Sequence, residues 1–332
     1  MPTVHRAIFG EVKGAHDLIA SSPGAPEPVL SDLASHYTDR LLPTEIPWQP
    51  YSSGFPVRGY YVVTRTFAVK GSRGGMVQTH AAIVALESLG KTTLWGLLQS
   101  LPSEALSPVL EPAAIDIEHL LAPNDEPAEM PIGYPSLVRM LLDGKVPIWS
   151  GQDGFEGIAA YLWRNLWPDA RRELRFRICA GPNDLKDLPA TFICTPAALR
   201  SNWKDQDFVD PAVTLVQDPS LSESYLLGLP GGRAFGELRD RLNFSPPQIA
   251  GLKRLEQYAR MRQEGTVDSI RAAVRILNVM FPGVEQAATE KASALGVLVQ
   301  KTIEGSDQDV LALRNLARSP TSNRQAKSSG IS

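Results

Sequence analysis

Four residues stand closest to chemistry in this sequence: Arg65, Arg73, Gln78 and His80. They fall on two adjoining segments, 59–69 (GYYVVTRTFAV) and 75–86 (GMVQTHAAIVAL), with Arg73 in the loop between them. His5, Glu11, His16 and Asp17, from an earlier candidate hairpin, can join them. Paired arginines offer forked donors to phosphate or carboxylate, and a histidine can move a proton near neutral pH. A charged Arg and a His facing an otherwise apolar set need partners, because an unpaired buried charge is expensive. Three readings stand open: a buried ion-pair and hydrogen-bond network that fixes strand register, a pocket for an anionic or nucleotide ligand or a partner, and a catalytic site.

Other candidate motifs carry less. Ala85-x4-Gly90-Lys91-Thr92 has the loosest form of a P-loop, placed after a strand and before a helix. Its interior is Leu-Glu-Ser-Leu, and that bulk and negative charge sit where a phosphate would be wrapped by backbone N–H groups. A strand-to-helix turn is the better reading. Gly228-Leu-Pro-Gly231-Gly232-Arg-Ala-Phe-Gly236 reads as a turn between a strand (SYLLGL) and a helix, with partner or anion docking as the alternative. It lacks the spacing and the following acid of a dinucleotide fingerprint. The five histidines, His5, His16, His36, His80 and His119, include no pair at metal-binding spacing, so neither metal nor cofactor is expected. No G-x-S-x-G elbow is present. Cys179 and Cys194 sit in apolar runs and read as buried free thiols, with Arg175 and Arg177 sharing a strand face with Cys179.

The elements that must position these groups alternate between strand and helix. Residues 5–22 suggest two short strands turning at Lys13-Gly14, and 29–41 an amphipathic helix. The two segments around Arg73 form a hairpin. Period-two alternation places Tyr61, Val63, Arg65 and Phe67 on one face of its first strand. On the second strand it groups Met76, Gln78, His80, Ala82 and Val84. Helices are predicted at 92–101, 135–143 and 153–166, the last started by a capping box of Asp153 and Glu156. A short element is expected near 115–121, and strands at 145–149, 173–179, 190–194 and 212–217. Thr195-Pro196 opens a further helix. From Ser245-Pro246 the pattern changes to helical runs at 246–263, 266–280, 283–303 and 307–318, separated by short loops. The fold class is therefore α+β, a mixed α/β region over 1–240 followed by a small helical bundle over 241–318 and a Ser-rich tail over 319–332.

Composition bounds the rest. The chain has 332 residues, 43% hydrophobic and 21% charged, which supports a sizeable core and excludes global disorder. The net charge of −3 speaks against a dedicated nucleic-acid binder. Residues 246–332 hold 12 Lys/Arg against 8 Asp/Glu, while the remainder is acidic, so a protein contact suits the bundle. No run approaches a membrane span and the start does not read as a signal peptide, so a cytoplasmic location is expected.

With these residues assembled, the chain resembles the type-one N-terminal domain of GTPase-associated protein 1, a component of bacterial conflict systems. The segments that carry the resemblance are His5-Arg-Ala-Ile-Phe-Gly-Glu11, Gly14-Ala-His16-Asp-Leu-Ile-Ala-Ser-Ser22, Gly54-Phe55, Tyr61-Val-Val-Thr-Arg65-Thr-Phe67 and Arg73-Gly-Gly-Met-Val-Gln-Thr-His80. Residues 151–167, Arg175-Phe-Arg177 and Gly181-Pro182 continue it, so it covers roughly 3–200. Larger members carry further middle and C-terminal domains, and against them the chain reads as a short version. The resemblance implies a part in a GTPase-centred antiviral complex and supplies no catalytic residues. A non-enzymatic adaptor or sensor is the expectation, with a GTPase or effector subunit as partner and possible oligomerisation through the C-terminal helices. The alternative is an enzyme or ligand-binding protein using Arg65, Arg73 and His80.

Overall fold

The computed structural model describes residues 2–39, 42–43, 49–69, 75–120, 129–204, 206–213 and 217–303. Residues 1–236 with 245–252 form one compact unit, and 237–244 with 253 onward form a second. The hairpin loop holding Arg73, the helical run expected at 307–318 and the tail at 319–332 lie outside the described residues.

The first unit is built on a nine-stranded mixed sheet, so the α+β class holds. Its strands are β1 (Thr3–Val12), β2 (Ala15–Ser21), β3 (Tyr51–Val57), β4 (Tyr60–Ala68), β5 (Val77–Ala85), β6 (Ile115–Asp116), β7 (Ile148–Ser150), β8 (Phe176–Ile178) and β9 (Phe192–Thr195). The order is β2-β1-β5-β4-β3-β8-β9-β7, with β6 paired to β1. From β2 to β3 every pairing is antiparallel, whereas β8, β9 and β7 run parallel. The two halves are joined at a single residue pair, Gly54 and Phe176. A Cβ added at Gly54 would lie 2.2 Å from the Phe176 ring, so only glycine lets β8 approach there.

Two tight turns explain the antiparallel half. Lys13 and Gly14 both have positive φ (51° and 83°), as do Arg58 and Gly59 (46° and 83°). Positive φ at both central residues is the two-residue turn that matches strand twist. β3 was not anticipated from the sequence, because Gly54 and Pro56 both count against a strand. It forms because β4 supplies a full antiparallel partner from Tyr51↔Thr66 to Val57↔Tyr60.

Helices cover both faces. Helix α1 (Glu27–His36) buries Val29, Leu30 and Leu33 against Ala7, Phe9, Phe55, Val62, Ala81 and Ile83. It stops at His36, short of the predicted residue 41. On the opposite face lie α2 (Leu94–Gln99) and α4 (Phe155–Asn165), where Trp163 meets Tyr61 edge-on at 4.9 Å, and α3 (Tyr134–Leu142) meets α4 through Tyr134 and Tyr161, 4.8 Å apart. Short helices α5 (Pro168–Glu173), α6 (Asp184–Asp187), α7 (Leu221–Leu226) and then α8 (Arg233–Arg241) complete the chain's passage toward its helical end.

Three local expectations change. The segment SYLLGL begins in α7 and leaves it after Leu226, with α7 started by a Ser220–Glu223 capping box, so the glycine-rich stretch that follows links two helices. Around the strand expected at 212–217, Pro211 and Ala212 form a turn and 214–216 lie outside the described residues. Helix α4 is capped by Gly154 at φ 74° with no side-chain cap, so the Asp153–Glu156 capping box does not form. Glu156 is engaged elsewhere, as shown below.

The second unit contains α9 (Leu252–Glu264), α10 (Val267–Met280) and α11 (Ala288–Ile303). Gly265 at φ 67° turns the chain between the first two, and Thr266 caps α10 by accepting the Ser269 amide. Leu255, Tyr258, Ile270, Ala273, Val274, Leu277, Ala294 and Leu298 are buried there.

Candidate functional site

Strand register brings the predicted groups together. Arg65 pairs with His80 and Phe67 with Gln78, and Val63 and Tyr61 follow opposite Ala82 and Val84. All project from the face covered by α2 and α4. Arg6 of β1, opposite Ala82, belongs to the same face. It was absent from the predicted set, although its place two residues from Val4 and Ile8 follows the same alternation.

Arg65 is almost fully engaged. Its Nη2 and Nε reach the two Glu156 oxygens at 2.8 and 3.2 Å, a bidentate pair with the arginine side chain only 11% exposed. Nη1 donates to the carbonyls of Leu101 and Pro102 at 3.3 and 3.2 Å. Ser52, opposite Arg65 on β3, donates to Glu156 Oε1 at 2.5 Å. The carboxylate that was expected to cap α4 therefore neutralises a strand arginine, leaving the helix start to Gly154.

Gln78 and His80 extend this arrangement. The Gln78 amide donates to Leu106 O at 3.1 Å, while its Oε1 accepts the Leu106 amide at 2.7 Å. That fixes the amide's orientation, so Oε1 must also be the acceptor for His80 Nε2 at 2.9 Å. His80 Nε2 therefore carries the proton of this bond. Burial, followed by the nearby Arg6 charge, pushes its pKa down to about 4. Together Arg65 and Gln78 tie residues 101–106 across the sheet. Beside the Arg65–Glu156 pair lies a cavity of about 410 Å³ lined by Ser52, Trp95, Gln152, Asp153, Glu156 and Cys194.

His5 and His16 do not join this cluster. His5 sits opposite Ile83, on the α1 face, where burial lowers its pKa. His16 Nε2 meets Thr38 Oγ1 at 3.1 Å just beyond α1. Glu11 and His16 pair across the first hairpin, while Asp17 accepts the Leu18 amide. Arg73 lies outside the described residues. Both thiols are buried, and desolvation pushes Cys179 up to about 12 and Cys194 well above its usual range. They stay protonated at neutral pH. Residues 86–91 form a single 3₁₀ stretch between β5 and α2, the expected strand-to-helix turn.

The α1 face holds a second arginine group. Arg175, Arg177 and Ser53 line a narrow crevice where β3 meets β8. Two arginines spaced i,i+2 on a strand were legible in the sequence, but Ser53 was not, because β3 was not recognised.

With this geometry in place, a comparison with known families finds a match over the first part of the sheet. Residues 3–101 match GTPase-associated protein 1, N-terminal domain type 1. The match bears out the resemblance over these residues, which run from β1 to the carbonyl of Leu101 that Arg65 holds. Within the matched GTPase-associated domain lie Arg65, Gln78, His80, His5 and His16. Glu156, Arg175 and Arg177 lie beyond it. No curated protein matches the chain. Among the described residues no helix is long and apolar enough to cross a membrane, and no His, Cys, Asp and Glu are grouped to hold a metal ion.

Proposed function

We propose that the chain is a non-enzymatic adaptor or sensor that works with a GTPase in a bacterial antiviral conflict complex. The match of residues 3–101 to the GTPase-associated domain carries this reading. It is supported by the state of the polar groups: Arg65, Gln78 and His80 spend their hydrogen bonds on each other, on Glu156 and on residues 101–106, and both thiols are held protonated. The α/β region, 1–240, serves as the recognition domain in the cytoplasm, with the bundle at 241–318 as the docking element and 319–332 as a tail. Helix α11 favours that role, since Leu295, Val299 and Ile303 recur at i, i+4 and i+8 and are 42%, 42% and 76% exposed. An apolar stripe at this spacing is the form in which a helix lays itself into a groove. A second copy of the chain is a further occupant of the same stripe.

Co-purification of the full chain with any GTPase encoded among its neighbouring genes tests the reading. The pair is expected to co-elute in size exclusion, and Leu295→Asp with Val299→Asp is expected to weaken the complex about tenfold or more. A folded monomer that retains no neighbouring gene product in either nucleotide state would sink the proposal. The alternative ligand site at Arg65, Arg73 and His80 has weaker support, because Glu156 already occupies the Arg65 fork.

A further inference from the structure

The crevice at the β3–β8 junction gathers buried polar groups that the described residues leave unmet. Arg177 is 8% exposed, yet its Nε has no acceptor among the described residues. Its Nη1 finds only the Leu188 carbonyl, at a long 3.4 Å. Ser53, 3% exposed on β3, has a hydroxyl without a partner among the described residues. Arg175 lines the same crevice, and among the described residues no carboxylate does. Tyr37, stacked on Phe55 at 4.4 Å, and Pro189 form part of its wall. Buried guanidinium groups are normally paired, because leaving their donors unmet is costly. Here two arginines and a serine line about 20 Å³ of open space, room for a small group and too little for a whole nucleoside.

We infer that this crevice, lined by Ser53, Arg175 and Arg177, binds a phosphate group. Two guanidinium charges match a dianion, and forked N–H donors suit its oxygens, with the Ser53 hydroxyl supplying a further donor. A phosphomonoester would insert its phosphate and leave the remainder outside the crevice. Free phosphate would occupy the same position alone. The site lies beyond the matched GTPase-associated domain on its arginine side and stands whether or not a GTPase is the partner.

The test is calorimetric titration and thermal melting of the full chain with inorganic phosphate, glycerol phosphate and acetate. Both phosphate probes are expected to raise the melting temperature at millimolar concentration, acetate much less. A phosphomonoester that binds about tenfold more tightly than inorganic phosphate identifies the phosphorylated ligand as the natural source, and equal affinity identifies free phosphate. Arg177→Met is expected to abolish the shift and Ser53→Ala to reduce affinity several-fold. Should Arg177→Met fail to fold, Ser53→Ala and Arg175→Gln carry the test. The inference is overturned if neither phosphate probe binds, leaving a crevice that holds water only. It is also overturned if acetate binds as tightly as phosphate, or if the folded variants retain wild-type affinity.

Discussion

Two arginine groups lie on opposite faces of one sheet and meet opposite fates. On the α2/α4 face, Arg65 is held by both oxygens of Glu156 and by two backbone carbonyls, and its neighbour His80 is a neutral donor to Gln78. On the α1 face, Arg177 is buried to a similar degree, and among the described residues its Nε and the Ser53 hydroxyl beside it have no partner. The difference follows from what crosses the sheet at each place. Helix α4 delivers an acid to β4 from 91 residues away in sequence, whereas at the single-pair seam between β3 and β8 no described residue brings an acid to the crevice. A saturated charge holds structure together. An unsaturated one is available to something else.

The comparison is broken most forcefully at Glu156. Glu156→Ala would leave Arg65 charged and largely buried without its carboxylate and would free Ser52. Since the acid is itself partly exposed, the loss should be about 2–3 kcal/mol in urea unfolding, below the range for a fully buried pair. Arg65→Met should lose a similar amount and loosen residues 101–106, visible as faster amide exchange at Leu106. If either variant is as stable as the parent, the saturated network is not what holds that face.

A second expectation sharpens the same contrast through pH. His80 titrates near 6.5 in an unfolded chain and at about 4 in the fold. The unfolded state therefore binds more protons in this window, and its stabilising contribution is complete above pH 6.5 and lost as pH falls through 6.5 toward 4. Between pH 7 and pH 5 the loss amounts to about 2 kcal/mol from this residue. His5, lowered by burial on the other face, acts in the same direction. His80→Gln should remove most of the slope in a pH series of thermal melts. An unchanged slope would mean that His80 is hydrated in solution and not locked to Gln78.

How far the sequence foretold this arrangement can be seen in the same residues. Alternation of apolar and polar side chains placed Arg65, Gln78 and His80 on one face, and the register confirms their opposition. Local pattern also set both helix-rich and strand-rich regions, because turn residues and periodicity act within a few positions. Two things were illegible. The partner of Arg65 is a long-range choice, and Glu156 carried a competing local signal, a capping-box spacing that the fold did not use. Strand β3 was hidden by Gly54 and Pro56, each a poor strand former alone, although β4 pairs with all seven residues of β3 and Gly54 is what lets Phe176 pack close. The hidden strand took Ser53 and Ser52 with it, one for each face.

The smallest effects belong to the unsaturated face and are the most diagnostic. Without ligand, Arg177→Met removes a buried charge that has no carboxylate and fills the space with an apolar chain. Stability should be unchanged or rise by up to about 1 kcal/mol, since a poorly paired buried charge is replaced by packing. Ser53→Ala should shift stability by no more than about 0.5 kcal/mol, because the hydroxyl it deletes has no partner to orphan. Matched melts of Arg65→Met and Arg177→Met therefore give opposite outcomes for the same chemical change on the two faces. A marked loss for Arg177→Met would mean that the guanidinium is already satisfied within the chain, and the α1-face arginine would then be structural like its counterpart.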